Sequence, residues 1–521
     1  MIFNRVFIKP NAYFDSVVLM AVSRSLKELA GVEEAVLAMG TEMNKELLAR
    51  VGLATAEALQ ATPNDLMVGI KANEAHVLEE AVALAGQKLK GQAQETGSET
   101  AKPRSLAGGL MSYPETNLVL ISVPGLYAAR EARRALEAGR HVMLFSDNVP
   151  LEEEIALKDL ASQRGLLLMG PDCGTAIING VPLGFANAVR QGSIGVVGAS
   201  GTGTQEVTSI IHRLGAGVSQ VIGTGGRDLS GAVAGRTTLA ALEALGADPA
   251  TRVIVVISKP PAREVARRVL DKLAGLGKPV VVHFLGGDQQ EIEKRGLIAG
   301  RNLADTARKA VSLAQGLSIP VAEPPVPKQA AQREAAAMAP FQRWVRGLFG
   351  GGTLCDEAMF LLGPVTGGIF SNVAVDSRWQ LPDPLVSKEH TMLDMGDDFF
   401  TVGRPHPMIE PVLRVSRLFQ EAADPEVAVV LMDVVLGYGS HRDPAGVLAP
   451  AIAEAKETAR LAGRYLSLVV SLCGTDQDPQ NLAEQERQLA EAGALVLPTN
   501  AEAALLAAEI ITQRTGGRNG E

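Results

Sequence analysis

A run of small residues between a strand pattern and a helix pattern constrains this chain most. Residues 194–197 (IGVV) are typical of a short buried strand, residues 198–204 (GASGTGT) are all small, and a helical apolar pattern begins at Gln205. A strand that enters a helix through such a turn presents free backbone N–H groups, which together with the helix dipole favour an anion. Without side chains, the turn also lets a phosphate or carboxylate approach closely. The pattern predicts either an anion site or a tight turn without a ligand.

The composition narrows the class of protein. With 521 residues the chain is too long for one core, so we expect three or four domains. A net charge of −9 and only 4% aromatic residues argue against a nucleic-acid or anionic-membrane partner. Cys173, Cys355 and Cys473 lie far apart, so neither a metal site nor a disulfide framework is expected. No signal pattern or long apolar run occurs, which predicts a cytoplasmic location.

The first half of the chain predicts two α/β domains. Residues 1–92 read as a small α/β domain, for which a ferredoxin-like sandwich and a half-Rossmann unit fit equally well. Residues 105–190 alternate strand and helix patterns, which predicts a Rossmann-like parallel sheet. Ligands bind such sheets at the carboxyl ends of the strands, which here lie at residues 122–125, 146–148 and 170–174.

The second half predicts a duplication. Residues 191–317 read as a flavodoxin-like domain, and residues 318–340 as a proline-rich, extended linker with a polar helical end. Residues 341–515 repeat the plan of 191–317. A second small-residue turn (350–357, GGGTLCDE) enters a helix, and ADP precedes an apolar strand at 247–249 and again at 423–425. We therefore expect paired flavodoxin-like domains, the second with an insertion around residues 379–392.

The motifs also share their order with a known group of enzymes. Residues 170–174 (GPDCG), 195–206 (GVVGASGTGTQE) and 223–228 (GTGGRD) are similar to the α subunit of succinyl-CoA synthetase. Residues 393–398 (LDMGDD) and 471–476 (SLCGTD) resemble the carboxyl-terminal domain of its β subunit. A single chain that joins both parts behind a small N-terminal domain resembles the FdrA family, over roughly residues 105–515.

The resemblance implies a site made from both halves. In the synthetases two helix N-termini, one from each half, face each other across a phosphorylated histidine. The corresponding phosphate- or anion-binding residues here are Ser200, Gly201, Thr202, Gly203, Thr204, Gly352, Thr353, Leu354 and Cys355. At a helix start, Cys355 is either a thiol with a lowered pKa or a small buried residue.

The resemblance also implies a pocket for CoA, which is the possible cofactor of this chain. In the relatives the domain corresponding to residues 105–190 holds CoA at its strand ends. Those places are occupied here by Val123, Pro124, Gly125, Ser146, Asp147 and Asn148. No basic cluster for the 3′-phosphate lies near them in the sequence, so CoA is less strongly implied than the fold.

Departures from the synthetase pattern bear on its chemistry. The chain has no histidine between His283 and His390, and His283 lies inside an apparent strand, where a packed histidine is expected. The glutamate that would follow the strand at 253–257 is Lys259. No stretch remains for an ATP-grasp domain. These departures do not favour a self-sufficient ATP-dependent CoA ligase.

Other polar residues are candidates for binding an organic substrate. His390, His406 and His441 lie in or beside the insertion, close to Arg404 and the aspartates of residues 393–398. Such a cluster predicts either acid–base or carboxylate-binding groups, with His406 and Arg404 as the catalytic candidates, or a solvated loop. In the loop 223–228 we expect Arg227 and Asp228 to bind substrate.

Three functions remain open. FdrA-type proteins resemble subunits of an oxamate carbamoyltransferase, which splits oxalurate with phosphate into oxamate and carbamoyl phosphate. This reaction needs phosphate as a substrate, a site for a small organic acid and partner chains in an oligomer, but neither ATP nor phosphohistidine. The first alternative is an acyl-CoA synthetase, which needs CoA and a nucleotide-binding partner. The second is a non-catalytic scaffold subunit.

Overall fold

The computed structural model describes residues 3–10, 12, 14, 16–27, 29–94, 103–320, 324–402 and 404–515. The chain forms two compact units, Met1–Gly109 and Leu110–Glu521. Each is described by itself. Among the helices of the described residues, none is both long enough and apolar enough to cross a membrane.

The first unit is a small antiparallel sheet with helices on both faces. Its elements are β1 (Phe3–Lys9), α1 (Ser16–Lys27), β2 (Val32–Met39), α2 (Glu42–Arg50), α3 (Ala56–Gln60), β3 (Leu66–Ala72) and α4 (Ala75–Gln94). The strand order is β1-β3-β2, with both pairs antiparallel. Antiparallel pairing belongs to a ferredoxin-like sandwich and not to a half-Rossmann unit. Leu66 and Val68 pack on the face shared with α1 and α4, and Met67 packs on the face shared with α2 and α3.

The second unit begins with the predicted Rossmann-like sheet. Its elements are α5 (Leu106–Ser112), which straddles the boundary, β4 (Leu118–Ile121), α6 (Gly125–Glu137), β5 (His141–Leu144), α7 (Leu151–Gln163) and β6 (Leu168–Met169). The three strands are parallel in the order β4-β5-β6. Their carboxyl ends therefore share one edge, as the strand–helix alternation predicts.

A seven-stranded sheet follows. Its elements are β7 (Thr175–Ile178), β8 (Val181–Gly184), β9 (Gln191–Ala199), α8 (Gly201–Arg213), β10 (Val218–Gly223), α9 (Arg236–Ala247), β11 (Val253–Ser258), α10 (Arg263–Ala274), β12 (Val280–Phe284), α11 (Gln289–Glu293), β13 (Ile298–Ala299) and α12 (Leu303–Gln315). The strand order is β13-β12-β11-β9-β10-β7-β8.

The hairpin β7–β8 places the start of this sheet earlier than the predicted boundary at residue 191. It pairs antiparallel with β10, although its residues fall in the stretch 105–190. Asn179 and Gly180 connect the two strands with positive φ angles of 51° and 79°. Asn-Gly between two strand patterns is a strong hairpin signal, so this turn could have been predicted from the sequence.

A six-stranded parallel sheet completes the unit. Its elements are α13 (Lys328–Ala337), β14 (Trp344–Phe349), α14 (Gly352–Thr366), β15 (Phe370–Ser371), β16 (Thr391–Asp394), α15 (Asp398–Thr401), α16 (Val412–Ala423), β17 (Val427–Val435), α17 (Pro444–Leu461), β18 (Ser467–Cys473), α18 (Leu482–Glu491), β19 (Leu495–Leu497) and α19 (Asn500–Thr515). The strand order is β15-β16-β14-β17-β18-β19. The predicted linker 318–340 contains α13, whose Ala331 is buried; residues 321–323 lie outside the described residues.

The two larger sheets share one apolar core. Helices α8, α12, α14 and α19 contribute to a single cluster of buried residues with strands of both sheets, represented by Ile210, Ala307, Leu354 and Ala504. Alanine at many of these positions lets the helices approach closely. This packing brings the N-termini of α8 and α14 together.

Candidate functional site

Two helix starts meet where the larger domains join. The Ser200 hydroxyl lies 2.7 Å from the Thr353 hydroxyl, and both side chains are buried. Ser200 has an extended backbone and caps α8, since its Oγ accepts a hydrogen bond from the Gly203 N–H at 3.1 Å. The structure thus brings the predicted residues 200–204 and 352–355 into one place. Among the described residues, no acceptor is found for the amide N–H of Gly352 or Thr353.

Close approach explains part of the glycine content. A Cβ added to Gly203 would lie 3.0 Å from Thr353 Cγ2, and a Cβ added to Gly351 would lie 2.9 Å from Thr202 Oγ1. Larger residues would push the two helices apart. The small-residue runs therefore serve helix packing as well as the exposed backbone at the junction.

Lys259 supplies a cation at this junction. It follows β11, and its Nζ lies 3.0 Å from Asp356 Oδ2 in the first turns of α14. The Asp356 side chain is 6% exposed, whereas that of Lys259 remains 39% exposed. Burial opposes the charge of Lys259, but Asp356 and Asp394 outweigh it and hold the lysine pKa above its usual range. In the sequence, Lys259 is recognisable only as a departure from the synthetase pattern, and it was not predicted to belong to the site.

Asp394 lies beside the same helix start. It ends β16 and is 7% exposed; Asn372 binds its backbone N–H at 3.0 Å and its carbonyl at 2.9 Å. Its Oδ1 accepts a hydrogen bond from the Gly396 N–H at 2.9 Å, and its Oδ2 stands over Gly352, where a Cβ would overlap it. Burial raises the pKa of Asp394 to about 7, against the effect of Lys259. A carboxyl group with this pKa can carry a proton at neutral pH.

Neighbouring groups at the start of α14 are structural. Asp433 accepts hydrogen bonds from the N–H groups of Gly350 and Gly351 at 2.8 and 2.7 Å, and it pairs with Arg414 at 2.9 Å. Cys355 is fully buried, and burial followed by the charges of Asp394 and Asp356 raises its thiol pKa well above the usual value. The alternative of a reactive thiol with a lowered pKa is therefore wrong; Cys355 is a small buried residue.

The two predicted catalytic residues, His406 and Arg404, lie in different environments. His406 stacks near Phe185, with ring centroids 5.6 Å apart, and its Nδ1 accepts a hydrogen bond from the Met408 N–H at 3.2 Å. Burial and Arg414 lower the pKa of His406 to about 4, so at neutral pH it is an uncharged donor through Nε2. That nitrogen points towards Gly396, next to Asp394. Arg404 is exposed.

The other two histidines of the predicted cluster lie elsewhere or pack internally. His390 is buried against Trp344, and its Nδ1 accepts a hydrogen bond from the Val345 N–H. His441 receives a hydrogen bond from the N–H of Asp443 at the start of α17. His283 is buried in β12 with Nδ1 2.9 Å from the Gly300 carbonyl oxygen, as its position in a strand predicts.

Asp228 requires a correction. The prediction makes it a substrate ligand, but it is fully buried, and its carboxylate binds Lys158 Nζ at 2.7 Å. It also accepts hydrogen bonds from the N–H groups of Thr237 and Thr238 at 3.1 and 2.8 Å, at the start of α9. The negative charge of Asp228 is therefore paired with groups of the protein itself, and Asp228 is a structural residue. Arg227 is half exposed and pairs with Glu154 Oε2 at 2.9 Å.

The two strand ends predicted to hold CoA pack against each other. Ser146 Oγ donates to the Val123 carbonyl at 2.5 Å, and a Cβ on Gly125 would overlap the carbonyl oxygens of Asp147 and Asn148. Pro124 precedes α6. The segments 123–125 and 146–148 are therefore in direct contact.

Two further carboxylates, which sequence reasoning missed as a group, face these strand ends. Asp172 has a positive φ of 56° and reaches solvent; desolvation in the cleft and then the charge of Asp147 raise its pKa to about 6. Desolvation and Asp147 also raise the pKa of Asp398, which hydrogen-bonds Asn148. These carboxylates do not favour the phosphates of CoA at this edge, although the charges of Lys259 and Arg227 act on Asp172 in the opposite direction. The positive φ of Asp172 had no clear signal in the sequence.

Three domain-family models match the chain. An AllF heavy metal-associated domain matches residues 1–104, a CoA binding domain matches 189–286, and a CoA-ligase domain matches 348–510. The CoA binding match falls on the seven-stranded sheet, not on the stretch 105–190 where the CoA pocket was predicted. Residues 1–104 contain no cysteine and one histidine, the exposed His76, so they do not fit a heavy-metal ion.

One relative spans almost the whole chain. The protein YahF of Escherichia coli is 47% identical over 511 residues, which are 97% of this chain and 98% of YahF. The chain belongs to the FdrA family. This chain joins a small N-terminal domain to succinyl-CoA synthetase-like domains.

More distant relatives match parts of this FdrA protein. The ADP-forming sulfoacetate-CoA ligase subunit SauD of Bilophila wadsworthia is 30% identical over 35% of this chain and 63% of its own length. Succinate–CoA ligase subunit alpha-2 of Trichomonas vaginalis is 29% identical over 38% of this chain and 68% of its own length. The structure of an acetyl-coenzyme A synthetase from Ca. Korarchaeum cryptofilum aligns with a TM-score of 0.32 at 16% identity, covering 77% of this chain and 84% of that one.

Proposed function

We propose that this FdrA protein is a subunit of an oxamate carbamoyltransferase complex. The complex would convert oxalurate and phosphate into oxamate and carbamoyl phosphate. The observation that carries the proposal is Lys259 at the meeting point of α8 and α14, 3.0 Å from Asp356. Two helix starts and an ammonium group attract a free phosphate dianion, and the reaction needs no histidine to hold it covalently.

Further residues of the chain are candidates for the other contacts that such a reaction needs. Thr202 and Thr353 add hydroxyl donors beside the free amides of α14, so phosphate or carbamoyl phosphate would bind there. Arg404 and Arg227 are the exposed or half-exposed cations available for the carboxylate of the organic acid. His406 would donate a hydrogen bond as a neutral imidazole. Partner chains in an oligomer would complete the site.

The family comparisons support the proposal at a coarser level and also favour a second candidate. The match to an AllF domain and to YahF agrees with an FdrA-type protein, while the CoA-ligase match favours an acyl-CoA synthetase. A scaffold subunit would keep the fold without binding any of these ligands.

Ligand-dependent melting of the purified full-length chain separates the three candidates. The panel is phosphate, carbamoyl phosphate, oxamate, CoA, acetyl-CoA and ATP. A ligand that binds only the folded state stabilises it by about 2.7 kcal/mol at one hundred times its Kd. We expect phosphate and carbamoyl phosphate to raise the melting temperature. A rise with CoA alone would replace the proposal with the synthetase, and no rise at all would favour the scaffold.

The substitution Lys259→Met tests the anion site directly. Loss of a charge-assisted contact of about 1.5–3 kcal/mol predicts phosphate and carbamoyl phosphate binding weakened about 10- to 100-fold. Because the change leaves buried Asp356 without its cation, the ligand-induced rise is compared with the variant's own baseline. Lys272→Met is the matched control, since it removes a lysine paired with Glu243 at 2.6 Å on the surface. Equal affinities in both variants would contradict the site.

A further inference from the structure

The carboxyl group of Asp394 remains without a role in anion binding. We propose that Asp394 carries the proton of the transfer step: it gives a proton to the departing amide nitrogen and regains one from the attacking phosphate. The inference rests on the proposed function. It deepens that function by assigning a general acid–base group to a site whose other anion-binding groups are Lys259, hydroxyl groups and backbone amides.

The geometry leaves one oxygen of Asp394 available. The residue is only 7% exposed, and its Oδ1 is occupied by the Gly396 N–H. Its Oδ2 has no hydrogen bond within the part of the chain that the structure describes, and it points over Gly352 at the start of α14. A Cβ on Gly352 would also lie 3.4 Å from Lys259 Nζ. A carboxylate oxygen without a hydrogen bond, on a largely buried residue, therefore lies close to an ammonium group and free amides at the start of α14.

Charged and titratable groups face Asp394 from every element around it. Lys259 after β11 favours the ionised carboxylate, whereas Asp356 in α14 and Asp397 in the same loop oppose it. The other nearby groups are the buried thiol of Cys355, the neutral imidazole of His406 and Asp433 at the end of β17. Burial and the like charges outweigh Lys259, so the pKa of Asp394 lies at about 7.

An arriving dianion changes this balance in a predictable direction. A new negative charge beside Asp394 disfavours its ionised form and raises its pKa further. With a pKa of about 7 the carboxyl group is half ionised at pH 7 and mostly ionised at pH 8, and a bound dianion shifts it towards the protonated form. Binding therefore takes up a proton, and the O–H group that forms can donate to the bound anion.

The transfer step balances with this group. A phosphate oxygen attacks the carbamoyl carbon of a ureido acid, the C–O bond forms and the C–N bond breaks. The electron pair of the C–N bond goes to the nitrogen, which takes the proton from Asp394. The hydroxyl proton of the hydrogen phosphate returns to Asp394. The products are a primary amide and carbamoyl phosphate, with unchanged total charge and no oxidant or reductant.

Calorimetry of the full-length chain tests the proton uptake. Inorganic sulfate is the main probe because it is a tetrahedral dianion that does not titrate near pH 7.5, and buffers of different ionisation enthalpy report the protons exchanged. We expect uptake of about half a proton or more per sulfate, as follows from a pKa near 7 that rises on binding. Asp394→Asn should bind sulfate without uptake. Asp376→Asn, which removes an exposed carboxylate paired with Arg378, should behave as the unmodified chain.

Turnover by the complex purified through this chain gives the second readout. Asp394→Asn should lower kcat about 100-fold or more with a smaller change in KM, because general acid–base groups contribute about 10²–10⁴-fold. It should also remove the limb of the pH profile near 7. Unchanged uptake or unchanged kcat in Asp394→Asn would overturn the role of Asp394 and leave the proposed function standing. Failure of the unmodified chain to bind sulfate, phosphate and carbamoyl phosphate would instead overturn the proposed function.

Discussion

Lys259 shows how one residue changes the chemistry of the junction between α8 and α14. The sequence places it at the end of a buried strand, and the small-residue runs predict two helix starts. Its partners Asp356 and Asp394 lie about a hundred residues further along the chain, in another domain. The sequence pattern around Lys259 and the patterns around its two partners give no sign that these residues are close in space. Their convergence follows from the packing of the two domains, which is why the cation and the carboxyl group were predicted separately or not at all.

Buried neutral histidine gives a pH dependence at the residue scale. His390 is 9% exposed, and burial followed by the charge of Arg346 lowers its pKa to about 4. The unfolded chain has a histidine pKa of about 6.5 and therefore binds more protons between pH 6.5 and 4. The contribution of His390 to stability is present above pH 6.5 and is lost as the pH falls through this range.

The substitution His390→Gln should reduce this loss. A difference of about 2.5 pKa units corresponds to about 3 kcal/mol, so between pH 6.5 and 4 the unmodified chain should lose about that much more unfolding free energy than the variant. Urea unfolding at several pH values measures it. His76→Gln, at an exposed position of the first unit, serves as the control. Parallel pH curves for His390→Gln and the unmodified chain would contradict the prediction.

At the scale of elements, the duplication has an internal signature. Glu206 lies in the second turn of α8 and accepts a hydrogen bond from the Asn500 N–H at 2.9 Å, at the start of α19. Glu357 has the same place in α14 and accepts from the Leu303 N–H at 2.7 Å, at the start of α12. Both small-residue turns end in glutamate in the sequence. The repeat was predicted from its motifs, but the exchange of helix caps between the domains requires their packing.

Asn500→Ala tests the importance of this helix contact. Asn500 is fully buried, and its Nδ2 donates to the Leu354 carbonyl at 3.0 Å and to Glu357 Oε2 at 2.8 Å. Removing a donor from a buried carboxylate predicts a loss of about 2–3 kcal/mol in unfolding free energy. Gln513→Ala, which removes a surface bond to Glu509 in the same helix, should cost less than about 0.5 kcal/mol. Equal losses in denaturant unfolding would show that the contact adds no stability.

For the whole molecule, the order of the domains could be predicted from the sequence. The exact domain boundary at β7–β8 and the packing of the two larger domains could not. Alternating strand and helix patterns predicted the α/β class and the paired flavodoxin-like domains. The β7–β8 hairpin was assigned to the preceding stretch, although Asn179-Gly180 signals its turn. The core shared by α8, α12, α14 and α19 could not be read from the sequence, because an apolar helix face does not specify which sheet or helix covers it.

Removal of residues 1–109 tests whether the anion site belongs to the second unit alone. Every group assigned to the site lies in Leu110–Glu521, and the first unit has its own core around Leu26 and Val68. The truncated chain should keep the phosphate-induced rise in melting temperature within about 1 °C of the full chain. A lost rise, with native circular dichroism, would place part of the phosphate site in the first unit.

The joined helix starts have one more consequence. The two halves resemble the α subunit and the carboxyl-terminal domain of the β subunit of the synthetases, which are separate chains. Here residues 191–317 and 341–515 belong to one chain. A tether turns association into an intramolecular event, with a local concentration on the order of millimolar for a short linker. Dilution or unequal synthesis of two gene products therefore cannot separate the halves of this site.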